Sequence, residues 1–196
     1  MYILSEIEDL IRVPPSSFNV PIKLSVTDEL HQKYSNRVVG GLGLVVAVWD
    51  VLQLDDGLIR PGDGGVFVGT RFRCIVWKPF AGEILGGWVL ECLPLGIKVR
   101  MGFFDEIFIK KEYLFEGCEY KEAEKAWVWK PDADTELYID VNEKIRFRVE
   151  EEVFNDVKAT ELKATDGNTQ SGNEKPSYVI IGSCQVEGTG CVSWWE

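Results

Sequence analysis

Lys98 and Arg100, two residues apart, and Phe108 a short distance on carry the clearest chemical signal in the chain. Cations beside an aromatic ring can neutralise phosphates and offer a π-face to an unpaired base. Their spacing gives them a common side, because Leu95, Ile97, Val99 and Met101 take one parity while Gly96, Lys98, Arg100 and Gly102 take the other. A period of two is a strand with one face buried and one solvated. Ile107 and Ile109 bracket Phe108 in the same way, so Phe108 falls on the outside of the next strand. Further along, Lys144, Arg146 and Arg148 alternate with Ile145, Phe147 and Val149. Arg146 and Arg148 can join the same basic wall, and pairing with neighbouring acids is an equally available use for them.

Other chemistry-bearing residues give less. Pro61-Gly62-Asp63-Gly64-Gly65 has the glycine content of a phosphate loop but not the Gly-Lys-Ser/Thr ending, so it reads as a tight turn needing positive φ at Gly62 or Gly64. His31 is the lone histidine, with no nucleophile that spacing assigns to it, and is expected on an exposed helical face in contact with solvent. Asp55-Asp56 and Asp105-Glu106 read as turn and loop charge rather than a hydrolytic dyad. Five cysteines, Cys74, Cys92, Cys118, Cys184 and Cys191, form no CxxC pair and are odd in number. That count argues against a zinc site and against a disulfide framework, and favours reduced structural thiols. No catalytic residue, cofactor or metal ligand is assigned.

Charge constrains any nucleic-acid role. The 196 residues carry a formal net charge of −11. Residues 1 to 80 hold 8 basic against 9 acidic side chains, and residues 81 to 196 hold 13 against 23. A free-standing nucleic-acid binder is usually basic, so contact with RNA here must be local to one face and assisted by neighbours in an assembly. No apolar run approaches the roughly 20 residues of a membrane span, and the acidic amino terminus is unlike a secretory signal. A soluble protein that is not exported is expected.

The elements that must position these residues fall into two groups. An opening strand from Tyr2 ends by Pro14 and Pro15. Pro21 starts a helix over about Ile22 to Arg37, with Val26, Leu30 and Tyr34 on its inner stripe. Leu42 to Leu54 is apolar for too long to be an exposed strand and should run inside a sheet covered on one face by that helix. A turn at Asp55 to Gly57 and the Pro61 to Gly65 loop lead to a strand over Val66 to Phe80, in which Val68, Thr70, Phe72, Cys74 and Val76 share one face. Lys78 to Gly82 breaks the pattern, so a boundary is placed at residue 80. Beyond it come three barrel strands between Glu83 and Ile109, a helical turn at Lys110 to Leu114, a charged connection, short strands at Ala126 to Trp129 and Leu137 to Ile139, and cleaner ones at Lys144 to Val149 and Tyr178 to Cys184. Residues 155 to 177 lack an apolar period and are expected to be a flexible polar excursion. The indoles of Trp127, Trp129, Trp194 and Trp195 are expected in the core, at a domain seam or against a partner. The fold class expected is α+β: residues 1–80 a mixed α/β domain with an antiparallel sheet and one main helix, and residues 81–196 a five-stranded β-barrel.

This order of features resembles the elongated stalk subunit of archaeal and eukaryotic RNA polymerases, which joins an amino-terminal tip domain to a carboxy-terminal OB barrel. The carriers are Arg12-Val13-Pro14-Pro15, Val45 to Asp50, Pro61-Gly62-Asp63-Gly64, Lys78-Pro79-Phe80 with Gly82-Glu83-Ile84, and Gly102-Phe103-Phe104-Asp105-Glu106-Ile107. Ala126-Trp127-Val128-Trp129, Ile145-Arg146-Phe147-Arg148-Val149, the polar insertion and the terminal Gly190, Ser193, Trp194 and Trp195 are similar to the form specific to RNA polymerase III. The resemblance implies a non-catalytic nuclear subunit that pairs with a helical stalk partner. Its tip loop Pro61, Gly62, Asp63 and Gly64 would dock on the polymerase core near the clamp, and its barrel would meet nascent single-stranded RNA or initiation factors during transcription of transfer RNA and other small RNA genes. Lys98 stands where many related barrels carry an aromatic, and Phe108 where they carry a histidine, which favours backbone contact over stacking.

Three other readings compete: a free-standing single-stranded RNA-binding protein of translation or processing, a stalk subunit of another nuclear polymerase, and a hydrolase using Cys118 or His31. No spacing supports the last.

Overall fold

A computed structural model describes residues 1–132, 135–155 and 176–195, and the chain divides into two compact units, Met1–Lys78 and Pro79–Glu196. The first holds strands β1 (Tyr2–Val13), β2 (Arg37–Val39), β3 (Gly43–Leu54), β4 (Leu58–Ile59) and β5 (Val66–Trp77), with helix α1 (Ile22–Tyr34) between β1 and β2. They form an antiparallel sheet in the order β1-β5-β3-β2, with β4 against the end of β5. Val68, Phe72, Cys74 and Val76 of β5 are buried with Ile11 and Val13 of β1, and α1 caps them with Val26 and Leu30.

Strand β3 departs from simple alternation. Its pairing with β5 slips between Val45 and Ala47, Val48 and Asp50, and Val51 and Gln53. Each bulge adds a residue, so Val45, Val48 and Val51 reach the core at every third position. The apolar residues between them turn outward, and Trp49 is 61% exposed. This is why Leu42 to Leu54 is apolar at most positions while only one of its faces is covered. The helix stops at Tyr34 rather than at the expected Arg37. Asn36 is left-handed at φ 58, its N–H donates to the Val45 carbonyl at 2.8 Å, and Arg37 has already joined β2.

The second unit contains β6 (Ile84–Leu93), β7 (Gly96–Arg100), β8 (Ile107–Lys110), β9 (Cys118–Lys121), β10 (Ala126–Asp132), β11 (Thr135–Ile139), β12 (Lys144–Phe154), β13 (Tyr178–Ser183) and β14 (Gly190–Cys191). Five of them close a barrel in the order β13-β8-β7-β6-β12, with β12 pairing back to β13 and β14 added beside β12. Its interior is apolar: Val89, Ile97, Val99, Ile107, Ile109, Ile145, Phe147, Val149 and Ile180 are all at 0% exposure. Each such side chain contributes on the order of 1.5–3 kcal/mol. Gly96 opens β7 at φ +152, where a Cβ would stand 2.1 Å from the Ile109 carbonyl oxygen. Leu95, expected on the inner face, is instead 76% exposed, because the chain is still turning there and β7 begins only at Gly96.

Strands β9, β10 and β11 make a separate three-stranded sheet inserted between the third and fourth barrel strands. Trp127 anchors it, buried and donating its indole N–H to the Leu93 carbonyl at 3.0 Å. The connection expected before Ala126 therefore contains a strand, β9, marked in sequence only by the alternation of Cys118 and Tyr120 with Glu119 and Lys121. Of the expected polar excursion, residues 156–175 lie outside the described residues. Its edges are tied together, since Asn155 donates to the carbonyls of Ser177 through its backbone at 2.9 Å and of Pro176 through its side chain at 2.8 Å.

Candidate nucleic-acid interface

Barrel register, read strand by strand, sets which side chains share the outer wall. Arg148 pairs with Ile84, Arg146 with Gly86 and Lys144 with Trp88 across β12 and β6. Trp88 in turn pairs with Arg100, and Glu91 with Lys98, across β6 and β7. Lys98 then pairs with Phe108 on β8. Residues opposite one another on a face have Cβ atoms about 4.5–5.5 Å apart, so Lys98, Arg100, Phe108, Arg146 and Arg148 all lie on one continuous surface, over the apolar interior that Ile97, Val99, Ile145 and Phe147 fill.

These cations are not equally available. Lys98 holds Glu106 at 3.3 Å. Arg148 spends its charge on Glu150, at 2.8 Å through Nε and 2.5 Å through Nη2. Arg100 donates to the neutral Asn142 side chain at 3.1 Å and has no ion-pair partner among the described residues. Arg146 and Lys144 are exposed, and neither has an ion-pair partner among the described residues. Net positive charge on the wall thus concentrates at Lys144, Arg146 and Arg100. The sign reverses along β12 itself, where Glu150, Glu151 and Glu152 follow Arg148 at the bulge between Val149 and Glu151. Beyond Lys98 the surface turns apolar, in an open groove of about 290 Å³ lined by Lys98, Glu106, Ile107, Phe108, Pro176, Val179 and Ile181.

Sequence reasoning placed Lys144 on the outside without giving it a role, and passed over Trp88. An exposed indole flanked by two cations is the most distinctive element of the wall. Its signal was present in Gly87-Trp88-Val89, since Val89 is buried and Trp88 has the opposite parity.

Asp63 sits elsewhere, in the first unit. Its carboxylate accepts from Arg12 at 2.9 Å (Nε) and 2.7 Å (Nη2), and from the Gly65 backbone N–H at 2.9 Å. The Arg12 guanidinium first, and that backbone bond second, hold the carboxyl down at about 2. Of the two glycines expected to need positive φ, Gly62 does, at 86, and Gly64 does not. The loop is thus pinned to the end of β1 rather than arranged around an anion.

The four indoles divide by environment. Trp127 is core. Trp129 stacks on Phe115 at 4.3 Å between ring centroids, and Trp194 lies 5.4 Å from Trp129. Trp195 is 44% exposed and donates to the Thr189 carbonyl at 2.8 Å. Burial pushes the thiols of Cys74, Cys92 and Cys118 up to about 11 and that of Cys184 up to about 12, so they are poor nucleophiles. His31 lies on the exposed face of α1, its Nδ1 3.3 Å from the Ser35 hydroxyl.

Comparison with known proteins bears on both units. A family model described as RNA polymerase III subunit Rpc25 matches residues 83–195. A second, described as the SHS2 domain found in the N terminus of Rpb7p/Rpc25p/MJ0397, matches residues 8–64. DNA-directed RNA polymerase III subunit RPC8 of Saccharomyces cerevisiae is 43% identical over 212 residues, covering all of both chains. Its counterpart in Schizosaccharomyces pombe is 38% identical over 203 residues, again covering all of both. In Bos taurus the figure is 35% over 201 residues, covering all of this chain and 98% of the relative.

Proposed function

This chain belongs to the family of RNA polymerase III subunit Rpc25, and from that premise we propose that it is a non-catalytic stalk subunit of the nuclear enzyme. It joins the core through its first unit and offers the barrel wall to single-stranded RNA. The observation that carries the RNA contact is the gathering of Arg100, Lys144 and Arg146, without ion-pair partners among the described residues, on one barrel face of a chain whose formal net charge is −11. Cations gathered on one wall of an acidic protein mark a directed contact, and the overall balance keeps that contact from becoming indiscriminate.

Docking is the work of the first unit. The loop Pro61 to Gly64, held in shape by Arg12 and Asp63, inserts into the core near the clamp. A helical stalk partner covers exposed apolar residues of the sheet's outer face, Leu4, Val46, Trp49 and Leu52, which a lone soluble protein would rarely leave open. Initiation factors meet the barrel beside the RNA path. The thiols, pushed up by burial, are poor nucleophiles, which supports a subunit with no chemistry of its own.

Two variants of the tagged chain test this division. Lys98→Glu with Arg100→Glu is expected to copurify with the polymerase at the wild-type level while losing RNA crosslinks. Replacement of Pro61 to Gly64 by a flexible linker is expected to abolish copurification. Equal defects in both variants would refute the division of labour.

A further inference from the structure

Trp88 is the one large aromatic on the outer faces of β6, β7 and β12, and it is 43% exposed. Its Cα partners on the two neighbouring strands are Lys144 and Arg100. An indole with a cation on each side, one strand spacing of about 4.8 Å away in each direction, is not what barrel stability asks for. The interior is already filled from the opposite parity, and no hydrogen bond fixes the Trp88 indole N–H among the described residues. Two residues earlier on the same face, Gly86 presents no side chain, and a Cβ built there meets only the Ile145 carbonyl oxygen, at 4.0 Å. The surface beside the ring is therefore bare, and its far side is lined by Arg146, which pairs with Gly86.

We propose that Trp88 is a base-stacking platform for one unpaired nucleotide, with Lys144 and Arg100 taking the phosphates on either side and the bare Gly86 strip holding the sugar. This rests on the reading of the barrel wall as an RNA contact and adds a specificity to it. Base stacking accepts every base because every base has a π-face. A duplex, whose bases are already stacked, cannot use it. Charge complementarity selects nucleic acid over an apolar peptide: the cations neighbouring Trp88 are the least compensated on the wall, and the acid nearest along the strand, Glu91, lies opposite Lys98 instead.

The test titrates the full chain, together with its copurified stalk partner, with three labelled probes: a single-stranded RNA of mixed sequence, the same strand with abasic sugars, and its duplex. Trp88→Ala is expected to weaken binding to the base-bearing strand by about tenfold and to leave the abasic strand unchanged. Trp88→Phe, which keeps a π-face, should recover most of the loss and shows that the fold is intact. Arg100→Glu with Lys144→Glu should weaken both strands. If wild type binds the base-bearing and abasic strands equally and Trp88→Ala changes neither, the platform is wrong while the RNA reading survives. If wild type binds no RNA at all, that reading fails and takes the platform with it. Loss of a copurifying factor on Trp88→Ala, with RNA binding intact, would make Trp88 a protein contact and overturn the proposal.

Discussion

Neutralising Arg146 and neutralising Arg148 should have different consequences for RNA binding, although the two residues sit two apart on one strand face. Arg148 is bound by Glu150 on its own strand at 2.5 Å, and Lys98 by Glu106 at 3.3 Å. Arg146, Lys144 and Arg100 have no ion-pair partner among the described residues, and Arg100 donates to the neutral Asn142 amide. About three cations are thus free to displace counterions. For single strands the slope of log affinity on log salt is about −0.7 per neutralised phosphate, which gives roughly −2 for the wild type. Between 50 and 200 mM salt the affinity should then fall by about 20-fold. Arg146→Gln should flatten the slope by about 0.7, whereas Arg148→Gln should change it by well under half that amount, because its charge is already spent. Fluorescence anisotropy of a labelled single-stranded RNA, titrated at four salt concentrations against the stalk pair, reads both quantities. Equal slope changes for the two variants, or a wild-type slope near zero, would refute the ranking of the cations by their partners.

Three further outcomes follow from other parts of the molecule. Asp63 is held at about 2 in the folded chain, below its ordinary value, so the clamp on Arg12 and Gly65 is complete above the normal carboxylate range. It is lost as pH falls through about 2, and amide exchange at Gly65 should stay slow at pH 5 in wild type and become fast in Asp63→Ala, which removes the acceptor of its N–H. Phe147→Ala removes a fully buried ring from the barrel interior and should cost about 3–5 kcal/mol in denaturant unfolding, with the loss read by probes in the second unit; a loss below about 1 kcal/mol would contradict the packing described. Iodoacetamide at pH 8 should leave Cys74, Cys92, Cys184 and Cys191 unmodified in the native chain and reach Cys118 only slowly, and rapid labelling of Cys118 would show that burial does not hold its thiol up at about 11.

Much of this architecture was legible in the sequence, for reasons that differ by element. Barrel strands announce themselves because one face is buried and the other wet, so Lys98 between Ile97 and Val99, and Arg146 between Ile145 and Phe147, report their own orientation. Where that condition fails, so does the reading. In β3 three bulges turn a period of two into a period of three, and the apolar run cannot tell which of its residues are covered. At Leu95 the alternation continues one residue into a turn, since β7 begins only at Gly96. Apolar spacing extends the expected helix past Tyr34, since it does not encode the left-handed Asn36 that ends it. An aromatic in a strand commonly marks the core, and only the pairing across β12, β6 and β7 shows Trp88 standing between Lys144 and Arg100. No pattern within a single strand holds that information, since register between strands is set by the closure of the whole barrel. Nor could composition show which cations are spent, because Glu106 and Glu150 become partners only once the chain is folded.

Crosslinking of nascent RNA inside the assembled polymerase, with peptide mapping of this chain, tests the central claim most directly. Crosslinks are expected within Ile84–Arg100 and Lys144–Arg148, with Trp88 among the modified residues and the Pro61 to Gly64 loop unmodified. RNA attached mainly to the first unit, or none on the barrel wall in actively transcribing enzyme, would contradict it.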